Sequence, residues 1–190
     1  MHLTKVNLNV INENKEPEII RLSNAVVIGI SGSGKTVLLN TLYERLVKSY
    51  PNRPVRYITS HATEATVGQY YVNGVHQVVQ ILSQFEDAII NANLNMIDSP
   101  VLIIDGYDLV TSSGEDELIA KARSILQNLC ILGVNVILSA QELKTEEVPI
   151  PESYIEITTC KTGAFNYWLS LCENPTAETR RYRNVVLPAN

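Results

Sequence analysis

Cysteine, basic charge and long apolar runs are all scarce in this sequence, and each scarcity closes off a class of protein. The three cysteines, Cys130, Cys160 and Cys172, form no close metal-type pair and read as reduced thiols in a cytosolic setting. Lys plus Arg total 15 against 20 Asp plus Glu, a formal net charge of -5. A global basic surface for gripping nucleic acid is therefore absent, and only a local basic patch stays open. No apolar run approaches the roughly 20 residues that span a bilayer, and Met1 to Val10 does not read as a secretory leader. His2, His61 and His76 lack metal-ligand spacing, and Ser139 has no nucleophile elbow around it, so a hydrolase triad has no support. There is no internal repeat, low-complexity tract or convincing linker. What remains is 190 residues, 45% of them hydrophobic, enough to bury a core in a single domain, residues 1–190.

Hydrophobic periodicity divides that domain into three stretches. Residues 1–24 hold a strand pair: Val6, Leu8 and Val10 alternate with Asn7 and Asn9, an acidic turn follows, and a second extended segment covers Ile19 to Leu22. Residues 25–172 form the core, with apolar strands predicted at Ala25–Ile28, Val101–Ile104 and Val134–Ser139, and further strands at Val55–Thr59 and Tyr154–Thr159. Helical patterns lie between them, from Lys35 to about Tyr50, from Val75 to about Leu94 and from Glu115 to Leu132, with a short helix predicted over Gly163 to Leu171. The segment His61 to Asn73 fits no period, and Thr111 to Gly114 reads as a loop. Residues 173–190 read as a polar tail carrying Arg180, Arg181 and Arg183. Apolar strands alternating with helices predict an α/β fold with a mainly parallel sheet covered on both faces.

Gly29-Ile30-Ser31-Gly32-Ser33-Gly34-Lys35-Thr36 matches G-x-x-x-x-G-K-[ST] at every specified position, between a buried strand and an amphipathic helix. The glycines let backbone N–H groups approach phosphate oxygens, and the start of the next helix offers its positive end to the same anion. This assigns Gly29, Ile30, Ser31, Gly32, Ser33, Gly34, Lys35, Thr36 and Val37 to a nucleotide, with Lys35 reaching the β- and γ-phosphates and Thr36 a ligand of Mg²⁺. Asp105 ends a fully apolar strand and is the second expected Mg²⁺ partner. Gln141 ends the next such strand, where an amide that both donates and accepts suits a γ-phosphate sensor. The residue after Asp105 is Gly106, where translocating ATPases commonly place the Glu that polarises the attacking water. Asp108 reads as a loop or capping carboxylate, with a stand-in for that Glu as the alternative.

These stations and their flanks resemble the FtsK/SpoIIIE branch of the FtsK–HerA ATPases from about Ala25 to Ser170. Glu117-Leu118-Ile119-Ala120-Lys121-Ala122-Arg123 and the run Leu132 to Gln141 carry that resemblance. Ile104-Asp105-Gly106-Tyr107-Asp108-Leu109-Val110 is similar to a segment of the type VII secretion ATPases, EssC and EccC, in their later ATPase domains. The resemblance implies a three-layer RecA/FtsK-like P-loop fold, ATP and Mg²⁺ as cofactors, and catalytic roles for Asp105 and Gln141. It also implies neighbouring ATPase domains or a homo-oligomeric ring as partners, and a small helical secreted protein as cargo. The setting would be the cytoplasmic face of a membrane, reached only through another part of the protein. Two departures, Gly106 and a cysteine (Cys130) where the branch often has an arginine, argue against vigorous hydrolysis and for weak turnover. Arg53, Arg56, Arg123 and the Arg180 cluster are candidate arginine fingers. Phe165, Tyr167 and Trp168 either pack the core or flank a groove for a substrate helix. A DNA translocase or genome-packaging ATPase, and a nucleotide-binding regulatory module without turnover, stand as alternatives; the charge disfavours the first and Gly106 favours the second.

Overall fold

A segment such as Val101 to Ile104 has no polar face to offer water, so it is stable only as a strand covered on both sides. A computed structural model, which describes residues 6–12, 14–61, 68–92, 99–143, 147–150, 154–161, 167–173 and 180–185, places it so. The strands are β1 (Val6–Asn12), β2 (Pro17–Leu22), β3 (Ala25–Ile28), β4 (Val55–Thr59), β5 (Gln69–Tyr71), β6 (Val101–Asp105), β7 (Asn135–Ala140), β8 (Ile155–Lys161), β9 (Tyr167–Glu173) and β10 (Arg180–Val185). The helices are α1 (Lys35–Ser49), α2 (Val75–Asn91), the single-turn α3 (Asp108–Thr111) and α4 (Asp116–Ile131).

All ten strands join one sheet in the order β2-β1-β10-β9-β8-β3-β7-β6-β4-β5. The six from β8 to β5 are parallel. The run from β8 through β9, β10 and β1 to β2 is antiparallel and forms a wing beside the parallel half. Alternation along the strands divides the interior in two. Ala25, Val27, Val101 and Ile103 pack with Leu38, Leu39, Leu42 and Leu46 of α1. Val26, Leu102 and Ile104 face the other way, against Leu82 and Phe85 of α2 and Leu126 and Leu129 of α4. The result is the expected three-layer α/β arrangement. Asp116 and Glu117 occupy the first turn of α4, where negative charge favours the helix dipole.

The sequence reading is corrected in three places. Residues 167–171 do not continue a helix; they belong to β9, which pairs antiparallel with β8 from Ile155↔Glu173 to Lys161↔Tyr167. Residues 163–166, and with them Phe165, lie outside the described residues. The groove beside a helix at Tyr167 and Trp168 is accordingly withdrawn. Second, Arg180–Val185 of the supposed tail is a strand lodged between β1 and β9. Third, the unassigned segment before Asn73 contributes β5, parallel to β4, and α3 begins at Asp108, ahead of the predicted loop. The β8–β9 register sets Cys160 opposite Trp168 and Cys172 opposite Glu156. Four ladder positions separate the two, roughly 13 Å and well beyond disulfide reach.

Candidate functional site

Parallel strands deliver their C-terminal ends to one edge of the sheet, the edge at which open α/β folds bind ligands. Here that edge carries the glycine-rich loop after β3, Thr59 of β4, Asp105 of β6, Gln141 after β7 and Thr159 of β8. Register puts Thr59, Asp105 and Ser139 side by side, and Ile28 beside both Ala140 and Thr158.

The loop leaves β3 with Gly29 N–H donating to the Ala140 carbonyl at 3.3 Å. It enters α1 through Gly34, at φ 98°, and turns at Gly32, at φ 77°; both conformations favour glycine. Gly29 is required for a different reason, close approach. A Cβ there would stand 2.5 Å from Ser33 Oγ and 2.8 Å from the Thr159 carbonyl oxygen, and closer still to Thr159 Oγ1. The Lys35 ammonium folds back on its own loop, donating to the carbonyls of Gly29 and, at 3.2 Å, of Ile30. A ligand phosphate offers the same ammonium a charged acceptor, a stronger partner than a carbonyl. Ile30 and Val37 expose apolar side chains on either flank of the loop.

Asp105 is only 3% exposed. Ser139 Oγ donates to its Oδ1 at 2.7 Å, and the Tyr57 hydroxyl donates to its Oδ2 at 3.2 Å. Ser139 Oγ in turn accepts from Gly106 N–H at 3.0 Å, which fixes the start of the following loop. Burial, and then the adjacent Asp105 carboxylate, push the Tyr57 phenol well above its ordinary pKa, so it stays a donor. Among the described residues Asp105 has no cationic partner. A buried carboxylate held only by neutral hydroxyls is costly. Its lone pairs exceed its two donors, and a hard divalent cation prefers oxygen ligands. The Asp105 carboxylate is thus an oxygen donor of the kind Mg²⁺ takes, and the Thr36 hydroxyl, at the start of α1, is of the same kind.

Gln141 is exposed directly after the residue that receives the loop's first N–H. Its own N–H donates to Asp108 at 3.0 Å from each carboxylate oxygen. Asp108 thus takes the capping role; it ties α3 to the end of β7. The structure brings Asp105, Gln141 and the loop to one edge, as their strand-end positions implied.

Two of the arginine-finger candidates are occupied internally. Arg53 is buried, with its guanidinium 5.7 Å from the Tyr50 ring centre and its Nε donating to the Ser99 carbonyl. Arg56 lies over the rings of Tyr70 and Phe85, at 5.5 and 5.7 Å. Arg123 has its Nε buried and sits close enough to Tyr107 to oppose, electrostatically, the rise that burial imposes on that phenol. The side chains of Arg180, Arg181 and Arg183 lie outside the described ones. His76, at the start of α2, meets Glu115 at 3.0 Å.

Sequence reasoning missed Tyr57 and Thr159. A tyrosine at the centre of a strand that alternates with helices signals a buried partner for its hydroxyl, so Tyr57 was findable. Thr159 was not, because its partner Ser33 is 126 residues away.

With this geometry in place, comparison with known proteins is informative. No curated protein matches the sequence. Among solved structures, the cytoplasmic domain of the Thermomonospora curvata type VII secretion ATPase EccC is similar over 99% of this chain, at 14% identity and a TM-score of 0.67. A second structure, T. curvata EccC (ATPases 2 and 3) in complex with a signal sequence peptide, is similar over 98% of this chain, at 13% identity and a TM-score of 0.65. At such identities the likeness is one of fold. This chain spans 27% and 41% of those two chains. The AAA domain family matches residues 22–148, a span that runs from the end of β2 past Gln141 and so takes in the phosphate loop and Asp105. The chain belongs to that family and is a P-loop ATPase domain.

Proposed function

We propose that the domain binds Mg²⁺–ATP and couples its nucleotide state to contacts with neighbouring ATPase domains in a protein-export machine of the type VII secretion kind. The observation that carries the nucleotide part is Asp105, a buried carboxylate held, among the described residues, by the hydroxyls of Ser139 and Tyr57 on the same sheet edge as the phosphate loop. Backbone amides of the loop after Gly29, whose own N–H is held by the Ala140 carbonyl, would surround the phosphates, Lys35 would exchange its loop carbonyls for phosphate oxygens, and Gln141 would report the γ-phosphate. Thr36 and Asp105 would hold Mg²⁺, which when bound neutralises charge between the β- and γ-phosphates.

Turnover is expected to be slow. Gly106 offers no carboxylate directly after Asp105, and the Gln141 N–H, 3.0 Å from both oxygens of Asp108, turns that carboxylate toward the end of β7. An in-line water then lacks its orienting base. The same observation favours a second reading, a regulatory module that binds nucleotide and does not hydrolyse it. The protein cargo draws on the net charge of -5, which disfavours a duplex whose affinity rests on phosphate contacts. It also draws on the fold shared with EccC, one structure of which holds a signal sequence peptide. No helix of the described residues is long and apolar enough to cross a membrane; placement at the cytoplasmic membrane face, through another part of the protein, belongs to this proposal.

Calorimetry with Mg²⁺–ATP on the full chain tests the reading. Lys35→Ala should lose measurable binding, and equal binding by that variant overturns it. Turnover raised by a helical secreted protein and unchanged by DNA supports the export role. Stimulation by DNA would transfer the assignment to a translocase, and no turnover with either would leave the regulatory module.

A further inference from the structure

A phosphate loop works only if its N–H groups already face the ligand. Glycine-rich backbone has wide conformational freedom, so an unpinned loop would lose affinity to the entropy of ordering. The question is what pins this one.

Its two ends are held by β3 and α1. The middle is held from the side by β8. Ser33 Oγ and Thr159 Oγ1 lie 2.7 Å apart, and Thr159 Oγ1 donates to the Ile28 carbonyl at 3.3 Å. Each hydroxyl has one proton; with that of Thr159 directed at the Ile28 carbonyl, which can only accept, Ser33 donates to Thr159. Both residues are buried, at 2% and 4% exposure, and water does not compete for these bonds. Gly29 completes the seat, because only a residue without a Cβ lets the loop approach Thr159 this closely.

We infer that Thr159 is a positioning residue for the phosphate loop: its hydroxyl locks Ser33 and the end of β3 in the nucleotide-receptive conformation and thereby sets nucleotide affinity. The inference rests on the ATP-binding reading above. It goes beyond that reading because Thr159 lies outside the phosphate-loop motif and eleven residues past the end of the family match at residue 148. Thr159 touches no phosphate; it acts through Ser33 and Gly29.

The test is the Kd of a fluorescent ATP analogue with Mg²⁺, measured on the full chain and five variants. Thr159→Val keeps the shape and removes the hydroxyl; affinity should fall about ten-fold, the size of a lost buried hydrogen bond. Thr159→Ser restores the hydroxyl and should return affinity to within about two-fold of the parent. A residue that served only stability would move the melting temperature in both variants and leave Kd alone. If Thr159→Val fails to fold by circular dichroism, Ser33→Ala tests the same bond from its other end, with the same expected loss. Where both fold, the double variant should lose no more than Thr159→Val alone, since that substitution already removes the bond to Ser33 together with the one to Ile28. Parent-like affinity in the folded hydroxyl-free variant, or losses that add, overturns the inference. Lys35→Ala separates the two levels: if it binds as the parent does, the ATP-binding reading fails; if it loses binding while Thr159→Val retains it, only the role of Thr159 fails.

Discussion

Gly106 stands at φ +93°, a conformation that residues with a Cβ rarely adopt. A Cβ built there would also come within 3.0 Å of Ser60 Oγ. The missing acidic residue is therefore no simple exchange of side chains, because the backbone itself is turned for glycine. Gly106→Glu is expected to lower stability by about 1–3 kcal/mol without raising turnover. Thermal melts beside a steady-state assay check this, and faster hydrolysis at unchanged melting temperature would show that the carboxylate alone was lacking. At this scale the sequence was legible where a motif is local. The loop from Gly29 to Thr36, Asp105 and Gln141 sit at strand ends that apolar runs made visible. It was illegible where a side chain finds its partner through the fold. Nothing near Asp108 in sequence shows that it caps Gln141, and nothing near Arg56 shows that it lies over the rings of Tyr70 and Phe85.

Elements here are aligned as much by single polar residues as by apolar packing. Asn24, just ahead of β3, accepts the Val136 N–H of β7 on its Oδ1 at 2.9 Å and the Ile155 N–H of β8 on its carbonyl at 3.0 Å. It is buried and joins the starts of three parallel strands. Asn24→Ala leaves the Val136 N–H without its acceptor, and urea unfolding should show a loss of about 1–3 kcal/mol; a change of only a few tenths would mean that water replaces the amide. Strands β3, β6 and β7 announced themselves through apolar runs, and α1, α2 and α4 through helical spacing. Three strands did not. In Tyr167 to Cys172 both alternating sets contain apolar residues, so neither period stands out, and the ladder to β8 decides the outcome. β10 is arginine-rich and takes its shape from backbone pairing on both sides. β5 has three residues, too few to show any period.

On the scale of the whole molecule, two tyrosines set an alkaline limit. Burial raises the Tyr107 phenol from 10.0 to about 12, with Arg123 opposing, and raises Tyr57 further, with Asp105 adding to the effect. A group whose folded pKa is raised contributes stability that is whole below its unfolded pKa and is lost as pH rises through the folded one. Stability should thus fall from pH 10 towards about 12. Tyr107→Phe should flatten that decline in melts taken across the same window, and an unchanged slope would place the loss elsewhere. The wing of the sheet has a further consequence, and it concerns time. Val10 pairs with Val185, and Ile11 with Asn184, so β1 finds its second neighbour only among residues from the far end of the sequence. During synthesis the β1–β2 hairpin must wait while the parallel half is translated, with one strand edge open until β10 leaves the ribosome. Pairings this distant close slowly and expose an edge meanwhile. Completion of the sheet is then a late event in the folding of this domain, and until it occurs the inner edge of β1 is open to pairing with another strand.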